Sequence, residues 1–262
     1  MNHDRILPLE GIRNFRDYGG YAGADGARIK RGMLWRSGHH CEATETDLER
    51  VHELGLATVF DLRGDSERAL YPCLRHREFT AEVRYEPGET AGLSGAAAHE
   101  AAGQGVRSGE DARLAMIRLN EGMPWRPVLL ATLRMHFAEL AAPAGPTLLH
   151  CVAGKDRTGL ACALTHHVLG VHPDEAMADY LLTNAAIDVD ERVRVNGAAL
   201  RDRYGAEMDD GAVRALISVA PEYLGTALAA IRERHGTVDA YLGEVLGVGA
   251  AEMSAIRAAL LD

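Results

Sequence analysis

The sequence predicts an α/β fold, a central and mostly parallel sheet flanked by helices. Three observations carry this. Ala57-Thr-Val-Phe-Asp61-Leu62 is a short apolar run of the kind found in strands buried on both faces. Pro146-Thr-Leu-Leu149 is a second β-compatible run, followed by a tight polar loop and then, over 158–170, by a segment apolar on most sides. That segment suits a helix buried beside the sheet. From Pro173 onward the chain reads as a string of helices punctuated by glycines. With 262 residues the chain is long enough for a sizeable core, and one domain over 1–262 accounts for the pattern.

Residues 4–37 mix turn clusters, Tyr18-Gly-Gly-Tyr21 and Gly23-Ala-Asp-Gly26, with short extended pieces, and 33–37 reads as a strand end. Arg16 and Arg36 lie here and face either a functional site or structural carboxylates such as Asp17. Thr44 is placed to cap a helix over 45–54, with Asp47 in its first turn and Gly55 as its stop. Asp61 and Arg63 end the next strand, at the edge where open α/β sheets bind ligands. A buried ion pair that fixes the loop is their structural alternative. Pro72 breaks the chain, and 82–85 is a further short strand.

Residues 88–110 are rich in Gly, Ala and Ser and lack a core-forming pattern, which predicts a flexible insertion or a lid. Two helices follow within 110–141, broken near Pro124 and Pro127. Helices over 173–183, 185–203, 210–218, 221–234, 237–246 and 250–261 are expected to cover one face of the sheet as part of the same domain.

Formal net charge is −10, from 28 basic and 38 acidic residues. This argues against non-specific nucleic-acid binding and against stable membrane association through bulk charge. It leaves room for a local positive pocket. Cys41, Cys73, Cys151 and Cys162 show neither a zinc spacing nor a disulfide framework. The N-terminus lacks the apolar core of a signal peptide, and no apolar run is long enough to span a bilayer, so a cytoplasmic protein is expected. The pairs His39-His40 and His166-His167 consist of neighbours that point apart, so neither makes a two-ligand metal site. No metal and no cofactor is expected.

The chemistry concentrates in His150-Cys-Val-Ala-Gly-Lys-Asp-Arg-Thr-Gly159. A loop ending at a helix N-terminus points successive N–H groups at one spot and binds a phosphate-sized dianion. Cys151 facing those donors would be held as a nucleophilic thiolate. The planar fork of Arg157 can hold two phosphate oxygens at once, which a lysine cannot. Gly154 permits backbone geometry forbidden to a Cβ, and Gly159 lets the helix pack closely. Thr158 is expected to donate to the Cys151 sulfur. A nucleotide-binding P-loop is excluded, since position 149 is Leu and position 156 is Asp.

These residues resemble the cysteine-dependent phosphatases, whose signature is His-Cys-x5-Arg-Ser/Thr. The longer form is similar to the atypical bacterial branch, which contains tyrosine and phosphoinositide phosphatases. Asn14-Phe-Arg-Asp17, Leu34-Trp-Arg-Ser37, Asp61-Leu-Arg63 with Glu67, Ala178-Asp-Tyr-Leu181 and Pro221-Glu-Tyr-Leu224 fall in that family's order, so the resemblance covers nearly the whole chain. It implies the cysteine-phosphatase type of α/β fold. It also implies a metal-independent phosphate monoester hydrolase, with Cys151 attacking phosphorus, Arg157 and the loop amides of Val152, Ala153, Gly154 and Lys155 holding the oxygens, and His150 ordering the loop. Lys155 reads the substrate, while Val152 replaces the extra lysine of the dedicated 3-phosphoinositide enzymes. The general acid is Asp156 or Glu89, because Tyr85-Glu-Pro-Gly-Glu89 contains no Asp. Some relatives are exported without an ordinary signal peptide. Phosphotyrosine in proteins, with dual or lipid specificity, is the first substrate class. A soluble sugar or nucleoside phosphate, an inactive phosphate-binding module and a rhodanese-like sulfur transferase are the alternatives.

Overall fold

The computed structural model describes residues 3–90, 105–205 and 207–262. Five strands, β1 (Arg16–Asp17), β2 (Leu34–Ser37), β3 (Thr58–Asp61), β4 (Glu82–Arg84) and β5 (Thr147–His150), form one sheet in the order β1-β2-β5-β3-β4. The ladder is parallel except where β1 meets β2. The helices are α1 (Glu45–His52), α2 (Asp65–Leu70), α3 (Gly109–Glu121), α4 (Pro127–Ala141), α5 (Asp156–Val168), α6 (Pro173–Leu181), α7 (Thr183–Ala186), α8 (Val189–Tyr204), α9 (Asp210–Ile217), α10 (Pro221–His235), α11 (Val238–Tyr241) and α12 (Ala250–Leu260). A π-helical turn, Leu242–Leu246, follows α11.

Strand β5 lies at the centre, Leu148 beside Trp35 and Val59, Leu149 beside Arg36 and Phe60. Strand side chains alternate between faces, which divides the core. Val59 and Leu148 pack with Ile12, Phe15 and Val51 of α1. Leu34, Phe60 and Leu149 belong to the larger core, with Leu133 and Phe137 of α4, Leu160 and Leu164 of α5, and Tyr223, Ile231 and Ile256 from the C-terminal helices. Burial on both sides explains why β3 and β5 read as continuous apolar runs.

The capping expected at Thr44 is present. Its hydroxyl accepts from Asp47 N–H at 3.2 Å, and the Asp47 carboxylate accepts from Thr44 N–H in return. Asp47 also accepts from Glu10 and Gly11 N–H at 2.8 and 2.7 Å, which ties the N-terminal segment to α1. The helix ends at His52, earlier than the expected 54, because the chain tightens into i−3 bonds at Leu54 and Gly55, the latter at φ 60.

Two expectations about the C-terminal helices are corrected. The segment 185–203 is interrupted: Asp188 sits at φ 49 and caps α8 by accepting from Glu191 N–H, so α7 is separate. The helices also do not all cover the sheet. Ala112 and Ala115 of α3, Ala212 and Val213 of α9, and Val193 and Leu200 of α8 form a cluster of their own with Val106 and Met208. Most of the predicted 88–110 insertion, residues 91–104, lies outside the described residues, and 109–110 begin α3 behind a capping box between Ser108 and Asp111.

Buried histidines give the fold an acid limit. His136 bonds Thr165 Oγ1 and His166 bonds the Tyr18 carbonyl, both inside the larger core. Burial pushes His136 down from 6.5 to about 3 and His150 to about 4. Each is therefore neutral when folded and takes up a proton on unfolding below 6.5. Their contribution is complete above pH 6.5 and is lost as pH falls toward 4, on the order of 1 kcal/mol per histidine per pH unit. The urea midpoint should be clearly lower at pH 5 than at pH 7, and equal midpoints would contradict neutral burial.

Candidate active site

The chain leaves β5 at His150 and turns through Cys151 to Lys155 before α5 begins at Asp156. The helix thus starts two residues before the expected Thr158, and Asp156 and Arg157 lie in its first turn rather than in the loop. Lys155 is the N-cap and makes no side-chain capping bond, so the usual Ser, Thr or Asp mark is missing.

The loop carbonyls are held from outside. Val152 O accepts from His39 N–H at 2.9 Å. Asn14 Nδ2 donates to Ala153 O at 3.1 Å and Gly154 O at 2.7 Å, and Arg36 Nη2 donates to Gly154 O at 2.9 Å. Among the described residues, no acceptor takes the N–H of Val152, Ala153, Gly154 or Lys155. Gly154 has φ 67, and a Cβ there would fall 2.3 Å from Ser37 O, so the turn requires glycine. A Cβ on Gly159 would meet the Tyr180 ring at 2.7 Å, in line with the close packing expected of it.

Cys151 is 2 % exposed, at the foot of this loop. Arg157, also buried, sends Nη2 to Glu67 Oε1 at 2.8 Å and Nη1 to Glu67 Oε2, Thr90 Oγ1 and Leu62 O. Burial opposes its charge, and Glu67 more than offsets this, so its pKa lies above the ordinary value. Glu67 also accepts from Gly64 N–H at 3.0 Å at the start of α2. Glu67 thus joins α2 to the guanidinium, a role the local sequence did not disclose, since the partners are 90 residues apart.

Asp61 and Arg63 form the buried ion pair that was the structural alternative, at 2.8 and 2.7 Å. Burial raises the Asp61 pKa, but His150 and Arg63 outweigh it and hold it down to about 2. His150 places Nδ1 3.4 Å from Cys151 O and Nε2 3.8 Å from Asp61 Oδ2, so its ring lies between the loop backbone and the Asp61 carboxylate. Arg16 and Arg36 are paired structurally as well, though with Asp179 of α6 rather than Asp17. Arg36 Nη1 meets Asp179 Oδ2 at 2.8 Å, and Arg16 Nη2 donates to the Asp179 carbonyl at 2.9 Å. Asp17 instead accepts from Gly19 and Gly32 N–H.

The expected Thr158 bond to sulfur is absent: its buried hydroxyl has no hydrogen-bond partner. Lys155 and Asp156 are paired at 3.3 Å, and Lys155 Nζ also donates to Ser218 O at 3.2 Å. Asp156 is 3 % exposed, and neither of its oxygens accepts a hydrogen bond. Glu89 is occupied at the N-terminus of α2, accepting from Ser66 N–H and Oγ at 2.8 Å each.

A cleft of about 480 Å³ opens over the loop. Val152, Ala153 and Lys155 form part of its floor, Leu70, Tyr71, Leu216 and Ile217 give apolar walls, and Arg13 and Arg192 lie along it. His39 stacks on Tyr71 at 4.8 Å, and His167 pairs with Asp239. Among the described residues, the group with metal-ligand spacing is His52, His76 and Glu78, none of which lines this cleft.

The chain is similar to known proteins over nearly its whole length. The model of the tyrosine phosphatase family matches residues 7–262. A tyrosine-protein phosphatase by name from Cupriavidus necator is 33% identical over 256 residues, 96% of this chain and 87% of that protein. The triple specificity protein phosphatase PtpB of Mycobacterium tuberculosis is 27% identical over 281 residues, 98% of this chain and 99% of that one. The crystal structure of TpbA from P. aeruginosa covers 76% of this chain and 96% of its own at 19% identity and a TM-score of 0.35, too loose a likeness to bear on the site. The chain belongs to the tyrosine phosphatase family and is a tyrosine-phosphatase-like enzyme. No helix among the described residues is long and apolar enough to cross a membrane.

Proposed function

We propose that the protein hydrolyses phosphate monoesters, phosphotyrosine in proteins first among them, through a cysteinyl-phosphate intermediate. The observation that carries this is the loop itself. Its carbonyls are bound from outside, and the four successive N–H groups that follow Cys151 have no acceptor among the described residues. Such donors, fixed in advance, stabilise charge on the transferring phosphoryl oxygens without the reorganisation water would need. The S–P bond forms as the bond from phosphorus to the leaving oxygen breaks, and that oxygen takes a proton from a general acid. Water then attacks phosphorus, giving a proton to the carboxylate left by the general acid, as the S–P bond breaks and its electron pair returns to sulfur. Arg157 turns its fork from Glu67 toward the phosphoryl group. The charge neutralised by arginine and amides needs no metal, and turnover should be unchanged by EDTA.

Asp156 is the general acid we favour over Glu89. Its oxygens accept no hydrogen bond, while both Glu89 oxygens are engaged by Ser66. Asp156→Asn should flatten the limb of the kcat profile assigned to the acid and lower kcat by 10²–10⁴-fold, as expected for loss of a general acid. Glu89→Gln should leave that limb in place. The reverse pattern would move the role to Glu89.

The apolar walls at Leu70 and Tyr71 suit an aromatic ring. The mycobacterial relative is named for triple specificity, and the breadth of the cleft supports dual or lipid specificity beside phosphotyrosine. Turnover of a phosphotyrosine peptide, with phosphate trapped on Cys151 after acid quench, tests the reading. Sulfur transfer from thiosulfate without phosphate release would overturn it.

A further inference from the structure

Arg13 and Arg192 stand out because nothing in the described protein binds them. Among the described residues their side chains make no hydrogen bond and no ion pair, although the chain carries ten more acidic than basic residues. Neighbouring arginines are committed. Arg194 pairs with Glu191 at 2.6 Å and Arg214 with Asp190 at 2.5 Å, which also uses up the carboxylates nearest Arg192 on α8. Asp188 is taken as the helix cap.

Arg13 is positioned by structure that also builds the loop, and Arg192 by a helix that lines the same cleft. The Arg13 carbonyl accepts from Gly38 N–H at 2.9 Å, and the next residue, Asn14, holds Ala153 and Gly154 from φ 59. Arg13 is therefore fixed one residue from the loop support. Arg192, Asn196, Ala199 and Leu200 recur at helical spacing on α8, and all four line the cleft. Burial lowers the Arg192 pKa, and the charge of Arg13 lowers it further, so the two positive charges act on each other. Like charges held together without a counter-charge are relieved by an anion between them. Glu42, exposed on the cleft wall, supplies only a weak opposing charge, since it bonds neither arginine.

We propose that Arg13 and Arg192, with Asn196 beside them, form a second anion subsite in the same cleft, and that the substrate is a phosphomonoester carrying a second phosphate. The proposal deepens the phosphatase reading and rests on it. One phosphate would occupy the loop over Cys151 while the other sits between the two guanidiniums. The second phosphate takes no part in the chemistry and acts through binding and orientation.

The test compares kcat/KM for matched pairs. One arm uses a peptide with one phosphotyrosine against the same peptide with two. The other uses fructose 6-phosphate against fructose 1,6-bisphosphate, so that a peptide source and a small-molecule source are read separately. The wild-type protein should favour the doubly phosphorylated member by roughly tenfold or more in at least one arm, the scale of a charge-assisted bond. In Arg13→Gln/Arg192→Gln that ratio should fall to near unity, and in Glu42→Gln it should rise. A ratio near unity in both arms for the wild type, or one that the double variant leaves intact, would overturn the subsite. Turnover of p-nitrophenyl phosphate, which has no second phosphate, reports on the loop alone. Its absence in the wild type would overturn the phosphatase reading instead.

Discussion

Cys151→Ser is expected to reduce phosphomonoester turnover by at least roughly 10⁴-fold, to below detection, while the protein stays folded. A serine hydroxyl at this position would be a weak nucleophile with no base to activate it. The neighbouring imidazole of His150 has been pushed down to about 4 by burial, and it faces the Cys151 carbonyl rather than the side chain. The loop amides do not depend on the sulfur, because their geometry is set by Asn14, Arg36 and His39 holding the carbonyls. The serine variant should therefore still bind inorganic phosphate and be raised in Tm by it, as linkage requires of any ligand that prefers the folded state. Loss of turnover with retained phosphate binding would separate the nucleophile from the anion cup. A serine variant with more than about one hundredth of wild-type activity would contradict the cysteinyl-phosphate route.

The strand–loop–helix unit was legible because its signals are local. Two apolar runs flank a stretch whose Gly, Lys, Arg and Thr each have a reason to be there, and Thr44 with Asp47 marks a helix start in four residues. What was hidden is long-range. Nothing near Glu67 says that it holds Arg157, and nothing near Asp179 says that it answers Arg36 across 143 residues. Asp179 is buried on its helix beside Tyr180, and a carboxylate inside the protein needs a cation there, but that burial is a fact of the structure and not of the local sequence. The start of α5 carries no local mark because Lys155 makes no side-chain cap, and the Thr158 hydroxyl, in the first turn of that helix, has no partner and so makes no bond to sulfur. The three-helix cluster of α3, α8 and α9 was missed since amphipathic spacing tells which face is buried but not against what.

Asp179→Asn is expected to carry the largest stability loss of any single change away from the loop, about 3–5 kcal/mol, the range for removing one partner of a buried charge group. Arg16 and Arg36 are fully buried, at 0 % exposure each, and Asp179 is the carboxylate they share. Burial raises the Asp179 pKa, and the two arginines overcome that and hold it below the ordinary carboxylate range. Its contribution is thus present above the unfolded value of 3.8 and is lost only as pH falls below it, so the variant's deficit should be full at pH 7. Set against a typical total of about 5–15 kcal/mol, the loss would bring the protein close to its unfolding threshold. The effect should also reach the loop, because the same Arg36 that Asp179 holds by Nη1 holds Gly154 O by Nη2. A double-mutant cycle separates the two consequences. Adding Arg16→Met to Asp179→Asn removes one uncompensated charge and should recover part of the urea midpoint. It should not restore kcat, since Arg36 would still lack the carboxylate that fixes its fork. A midpoint unchanged in Asp179→Asn would mean that the two arginines are solvated in solution and that the loop carbonyls are held by Asn14 and His39 without Arg36.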